Sequence, residues 1–315
     1  MSENIIKKIY EYPEINSQEC IIRQWTRETD FDDYIECTFG YLHYKLINEL
    51  LLLINSYNFF DLITIITQKK SNSKFLINQF TQMCSTLGKE ITECIYIHFI
   101  NIIKLYEEIN KQIDFNSYYR NLGVNIDNKD LHLYRGFNPI SDTFFDIIEK
   151  SKIITDEIDD VTGINKFLIT TPTFLSTSVI SNIAKRFLNK NEQTPVANKI
   201  MWKIIVPNAK LSEFNYIYFG DTIKIKNYNM DEHKDAFEFL LNIGALLLFI
   251  NSKTIINEHY IDISQPNGIK ISYTLQTYEF VGWNYNYYEY INKTSKYFIK
   301  LFSSSKHILR SSSRH

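Results

Sequence analysis

The chain has 315 residues, enough for one large domain or two ordinary ones, and 44% of them are hydrophobic, ample for a core. Its 34 Lys and Arg against 36 Asp and Glu leave a net charge of −2, which excludes a global electrostatic pull toward nucleic acid or an anionic membrane. No stretch reaches the roughly 18 consecutive apolar residues a membrane span needs. Met1–Lys8 is charged and lacks the apolar core of a signal peptide. The four cysteines Cys20, Cys37, Cys84 and Cys94 show no CxxC spacing and read as buried thiols in a reducing compartment. The expectation is therefore a cytoplasmic or otherwise intracellular protein, with no membrane span and no clear nucleic-acid binding. The histidines are scattered without paired spacing, so no metal site is expected.

In chain order, residues 31–118 carry apolar residues at helical spacing, most clearly over Phe39–Asn55, Phe59–Ile66 and Ile91–Ile109. Breakers fall at Ser71–Ser73 and near Gly88. This pattern predicts three or four helices packed as a bundle, with His43 and His98 as core or groove residues. Asp127–Asp130 marks the passage to strands, and Leu131–Gly136 alternates as a short strand ending in Arg135 and Gly136. Ser141–Lys150 reads as a helix with Ser141 as its cap. Asp156–Gly163 reads as an acidic, solvated turn; it lacks the alternation and closing Glu of a calcium loop.

Lys166–Thr170 and Thr173–Val179 are expected to pair as strands, the second rich in hydroxyls. Its period of two puts Ser176 and Ser178 on one face and Leu175 and Thr177 on the other. A helix follows, capped at Ser181-Asn182, with Ala184, Phe187 and Leu188 inward. Lys199–Val206 is a further strand closed by Pro207-Asn208, and Ile223–Asp235 is a polar loop of functional length. Ala236–Leu241 and Ala245–Ile250 read as a hairpin turning at Asn242–Gly244, with the single carboxylate Glu238 in an apolar strand. Thr254–Ile263 and Ile269–Val281 are strands around a turn at Gln265–Gly268. Residues 284–315 read as a docked piece and a frayed tail.

Arg135 on one strand, Ser176-Thr177-Ser178 on a second and Glu238 on a third, in that order, resemble the R-S-E signature of the ADP-ribosyltransferases, in their arginine-type, clostridial-toxin-like branch. The resemblance covers roughly residues 130–285. It implies an α+β chain: a helical region over 1–125, packed on a split, mostly antiparallel β-core over 126–285 that forms the catalytic domain, then a C-terminal extension over 286–315. It implies a mono-ADP-ribosyltransferase that uses NAD as substrate and no metal. ADP-ribose would pass to a protein acceptor and nicotinamide would leave, with NAD glycohydrolysis as a side activity.

In that scheme Glu238 stabilises the oxocarbenium-like ribose and holds its 2′-hydroxyl. Ser176 is the donor that keeps Glu238 ionised in its apolar setting. Arg135 grips the phosphates with a fork-shaped permanent cation, and the backbone at Gly136 approaches the nicotinamide amide. Thr177 and Ser178 complete the cofactor-binding strand, and Phe187 walls the nicotinamide ring. One position departs from the pattern. Ala236 stands where the branch has Glu or Gln to engage the acceptor, with Asp231, Glu232 and Asp235 just upstream. The acceptor residue is therefore open, as is the alternative of a weak or inactive binding module working through its helical region. Toxin-like relatives add delivery into a host cell as a further setting.

Overall fold

The computed structural model describes residues 44–56, 99, 102–107, 109–110, 130–137, 142–158, 163, 165–189, 199–211, 213–219, 238–262, 265–287, 289–293, 296–297 and 300. They fall into two compact units, one drawn from 109–284 and the other from 17–108 together with 285–315. The four cysteines, His43, His98, Ser141, Ala236 and the loop before it, and most of the expected helical bundle lie outside the described residues. Among those described, no helix is long and apolar enough to cross a membrane.

The helical unit contains α1, Tyr44–Ser56. Its Ile47, Leu50, Leu51 and Ile54 recur at helical spacing and are buried. Asn55 Nδ2 at its end donates to the Tyr287 hydroxyl, and the Tyr290 hydroxyl donates to the Ile54 carbonyl at 3.0 Å. The stretch after Asn284 thus docks on α1 within this unit, and its described residues are helical.

The other unit holds nine strands among the described residues. They are β1 Leu131–Phe137, β2 Ile153–Ile158, β3 Asn165–Thr170, β4 Leu175–Ser178, β5 Ile200–Val206, β6 Tyr216–Phe219, β7 Glu238–Leu241, β8 Ala245–Asp262 and β9 Gln265–Trp283. Two helices accompany them, α2 Asp142–Lys150 and α3 Ser181–Asn189. The hydrogen-bonded order is β2-β3-β8-β9-β5-β1-β4-β7-β6. Only β5 and β9 run parallel, so the sheet is mostly antiparallel. The weak seam is β1–β4, which share one register pair, Tyr134 with Ser178. On either side of it the ladders are long, seven pairs for β1–β5 and four for β4–β7. Pairing is thus continuous from end to end, and the split in the core is a division into two halves joined at one register pair.

The core is aromatic. Phe137 and Phe144 pack on Trp202, which packs on Tyr278. Phe214 contacts Tyr216, Phe280 and Trp283, and Tyr216 contacts Phe239. The buried Trp202 indole N–H is satisfied by Gln276 Oε1 at 2.8 Å, as a fully buried donor must be.

Four local expectations are corrected. β7 and β8 are not a hairpin, because the turn between them bonds elsewhere. Gly244, at φ 82°, donates to the Thr171 carbonyl, and Ala245 N–H donates to Thr171 Oγ1. Leu241 then pairs with Leu175 and Tyr216, whereas Ala245 pairs with Trp283. For the same reason β3 and β4 do not pair. Thr171 is held by that turn, so β3 joins β8 while β4 joins β1 and β7. Asp156 and Glu157 lie in the edge strand β2, and Gln265–Gly268 lies inside β9, which pairs with a β8 reaching Asp262.

Candidate functional site

The seam between β1 and β4 brings the three motifs together. β1 carries Arg135, β4 is Leu175-Ser176-Thr177-Ser178, and β7 starts at Glu238; the three strands are neighbours in the order β1-β4-β7. Continued antiparallel pairing past Tyr134 and Ser178 would set Gly136 opposite Ser176, but the strands diverge. The Ser176 carbonyl, released from the ladder, accepts a bond from Arg135 Nη1 at 3.0 Å. Arg135 therefore bridges the opening with its side chain where backbone pairing stops, which answers the demand of a buried carbonyl for a donor. Its guanidinium lies 5.8 Å from the Phe187 ring centre and 5.7 Å from that of Phe137, both within cation–π reach.

Register partners share a face of a sheet, so the row through the seam can be read directly. Lys203 pairs with Tyr134, Tyr134 with Ser178, and Ser178 with Glu238. Ser176 pairs with Leu240, one diagonal step from Glu238 on the same face. Ser178 is thus directly opposite the carboxylate, while the sequence pointed to Ser176 as its donor. Glu238 is half-buried beside the fully buried Phe239 and Leu240. Thr177 faces the other way: it is buried, and its hydroxyl donates to the Phe239 carbonyl at 2.9 Å, tying β4 to β7 from the core side. Burial raises the Tyr134 phenol above its ordinary 10.0, so it is neutral at physiological pH. Burial and the nearby Lys203 lower the His132 imidazole, against an opposing pull from Asp130.

Gly136 has a structural explanation that its sequence did not reveal. A Cβ there would meet the Ala184 carbonyl oxygen at 2.0 Å and Leu188 Cγ at 3.3 Å. The missing side chain lets α3 lie directly on β1. The helix starts at Ser181, after Ile180 N–H donates back to Ser178 Oγ at 3.1 Å. Two residues, Val179 and Ile180, therefore carry the chain from the hydroxyl strand into α3, and this short path delivers Phe187 beside Arg135.

Lys185, Glu258 and Tyr273, missed from sequence, form a polar knot on the other flank of α3. Lys185 Nζ lies 2.9 Å from Glu258 Oε1, and the Tyr273 hydroxyl donates to Glu258 Oε2 at 2.5 Å. Burial raises the Glu258 carboxyl, but the bonds from Tyr273 and Lys185 outweigh it and hold the carboxyl below its ordinary 4.5. The Tyr273 phenol is pushed well up, first by burial and then by Glu258.

No protein-family model matches the sequence, and no curated protein matches it either. Solved structures similar to the chain include ADP-ribosyltransferase toxins. Plx2a, an ADP-ribosyltransferase toxin from Paenibacillus larvae, is 14% identical over 75% of this chain and 86% of its own, with a TM-score of 0.28. Exoenzyme S from Pseudomonas aeruginosa, in complex with human 14-3-3 protein beta and bound to carba-NAD, is 11% identical over 83% and 87%, with a TM-score of 0.28. The enzymatic component C2-I of the C2 toxin from Clostridium botulinum is 13% identical over 86% of this chain, which spans 49% of C2-I; its TM-score is 0.29.

Proposed function

We propose that this chain is a mono-ADP-ribosyltransferase of the R-S-E type, which cleaves NAD in the opening between β1 and β4 and passes ADP-ribose to a protein acceptor. One observation carries the reading. Arg135, Ser176–Ser178 and Glu238, far apart in sequence, lie on three adjacent strands, with Arg135 bonded across the opening to Ser176.

The chemistry asks for three things, and the residues fit each. The anionic pyrophosphate needs a fixed cation, and the guanidinium of Arg135 offers a permanent charge and a planar fork of N–H donors that matches phosphate oxygens. The bond from ribose to nicotinamide breaks with positive charge growing on the sugar. A half-buried carboxylate next to apolar side chains is a strong stabiliser of that charge, because little water screens it. Glu238 takes this role and holds the 2′-hydroxyl, with Ser176 and Ser178 on its face to orient it. Thr177 acts from the core side by fixing β4 to β7. Phe187 and the backbone of Gly136 bound the nicotinamide end. Nicotinamide leaves with the bonding electron pair, and the acceptor attacks the ribose carbon.

Ala236 has no group to orient or deprotonate a guanidinium, so the acceptor is not fixed as arginine, and water attack makes NAD glycohydrolysis the accompanying reaction. A protein acceptor inside a cell, reached by an effector of toxin type, completes the reading. The test is NAD titration by calorimetry onto Glu238→Gln, in which chemistry is silenced. Saturable binding that is lost when Arg135→Ala is added is the expected result. Heat of binding that is absent from Glu238→Gln, or indifferent to Arg135→Ala, overturns the assignment of the site.

A further inference from the structure

The apolar cluster beneath α3, built from Ala184, Leu188, Met201, Tyr260, Ile271 and Tyr273, encloses a charged lysine. Lys185 is 5% exposed. Its Nζ reaches Glu258 Oε1 at 2.9 Å and Asn182 Oδ1 at 3.4 Å, and lies 5.9 Å from the Tyr260 ring centre. Glu258 does not reach this face by ordinary alternation. Ile255 pairs with Tyr273 and Glu258 with Ile271, so β8 uses three steps where β9 uses two. The extra residue is a bulge at Asn257, which sits at φ 53° with its N–H bonded to Ser272 Oγ at 2.9 Å. Were the same residues paired without the bulge, Asn257 would fall opposite Ile271 and Glu258 would turn to the other face, which is how a bulge re-aims a strand.

On a helix each residue turns about 100° from the last, so Lys185 and Phe187 flank opposite sides of the ridge formed by Ala184 and Leu188. Ala184 and Leu188 rest on Gly136, Lys185 reaches the β8–β9 hairpin, and Phe187 reaches Arg135. Ala184 and Leu188 set how closely α3 lies on Gly136, but apolar contacts carry no directional bond against roll about the helix axis. A lysine pinned to a carboxylate on one flank stops that roll, and with it fixes the ring on the other flank.

We infer that Lys185, Glu258 and Tyr273 form a positioning lock that sets the roll of α3 and so holds Phe187 against Arg135 at the dinucleotide opening. The effect on NAD rests on the proposed function, whereas the lock itself does not. Lys185 is buried but the Glu258 side chain is 37% exposed and partly screened by water, so the pair is a modest source of net stability and a directional role suits it better.

The test uses the full chain with 4-fluorophenylalanine placed at position 187 and read by ¹⁹F NMR without NAD. Lys185→Met keeps a long unbranched side chain. Glu258→Gln keeps the shape and the bond from Tyr273, and serves if the first variant fails to fold. A shifted or broadened 187 resonance in either folded variant, restored toward wild type by Lys185→Arg in place of Lys185→Met, is the expected result. An unchanged resonance in both variants overturns the lock. In NAD turnover the same variants should raise KM about tenfold with kcat within about twofold, since ring placement acts on binding and Glu238 is untouched. A moved resonance with unchanged KM overturns the link to the dinucleotide. A wild type that takes no NAD overturns the proposed function, and the ¹⁹F result still decides the lock.

Discussion

Gly136 shows how much a single hydrogen in place of a methyl can hold. Its would-be Cβ falls 2.0 Å from a backbone oxygen, which cannot swing aside as a side chain could. Gly136→Ala should therefore force α3 off β1 and lower unfolding stability by about 2 kcal/mol, the scale of core overpacking, measurable by urea denaturation. Stability within error of wild type would contradict the packing described. Arg135→Lys tests the neighbouring position. A lysine keeps the charge but loses the fork and the planar stack beside Phe187 and Phe137, so KM for NAD should rise about tenfold. At this scale the sequence made residues conspicuous and left causes unread. Arg135 and Glu238 stood out as charged residues beside apolar ones and Ser176 by its hydroxyl-rich strand, and the fold sets their three strands side by side. Gly136 was legible as a close approach, but what approaches it is Ala184, which only the fold reveals. Lys185 was invisible: on a helix a lysine reads as solvated, and its partner Glu258 comes from a strand some 70 residues later by way of a bulge.

At the scale of elements, most strands were readable and β2 and β6 were not, while the pairing expected between chain neighbours failed for β3–β4 and β7–β8. β1, β5 and the hydroxyl strand β4 announce themselves by alternation and by Pro or Asn stops. Chain neighbours make the default pairing, and here Thr171 defeats it twice by bonding the Asn242–Gly244 turn and parting β3 from β4 and β7 from β8. A bulge such as that at Asn257 leaves no periodic trace, because one inserted residue looks like any other. Two outcomes belong to this scale. Asn257→Val places a β-branched residue at φ 53° and should cost about 1–3 kcal/mol, while Asn257→Gly should be tolerated. The second is acid sensitivity. Glu258, faced by Lys185 and Lys253 and bonded by Tyr273, has its folded pKa below its ordinary 4.5. Its stabilising contribution is present above 4.5 and is lost as pH falls through the lower folded value. The stability gap between wild type and Glu258→Gln should thus be steady near neutrality and close as the pH falls from 4.5 through the lower folded value. A gap that widens on acidification would contradict the ionised pairing.

At the scale of the whole molecule, one seam in the nine-stranded order of the described residues marks the place where backbone pairing opens. Where β1 and β4 stop pairing, backbone polar groups need new partners, and an arginine, a hydroxyl strand and a helix start converge on the gap. Net charge has no part in this, since −2 over 315 residues steers nothing. Any attraction for a dinucleotide must be local. The helical unit, with Tyr287 and Tyr290 tied to the end of α1, is a separate compact unit. The measurement that tests the central claim most directly is nicotinamide release from NAD by the purified chain, with Glu238→Gln alongside. Release by the wild type, reduced at least about a hundredfold in Glu238→Gln, is the expected result for loss of the principal electrostatic stabiliser. Equal release by both proteins, or none from a wild type shown to bind NAD, would contradict it.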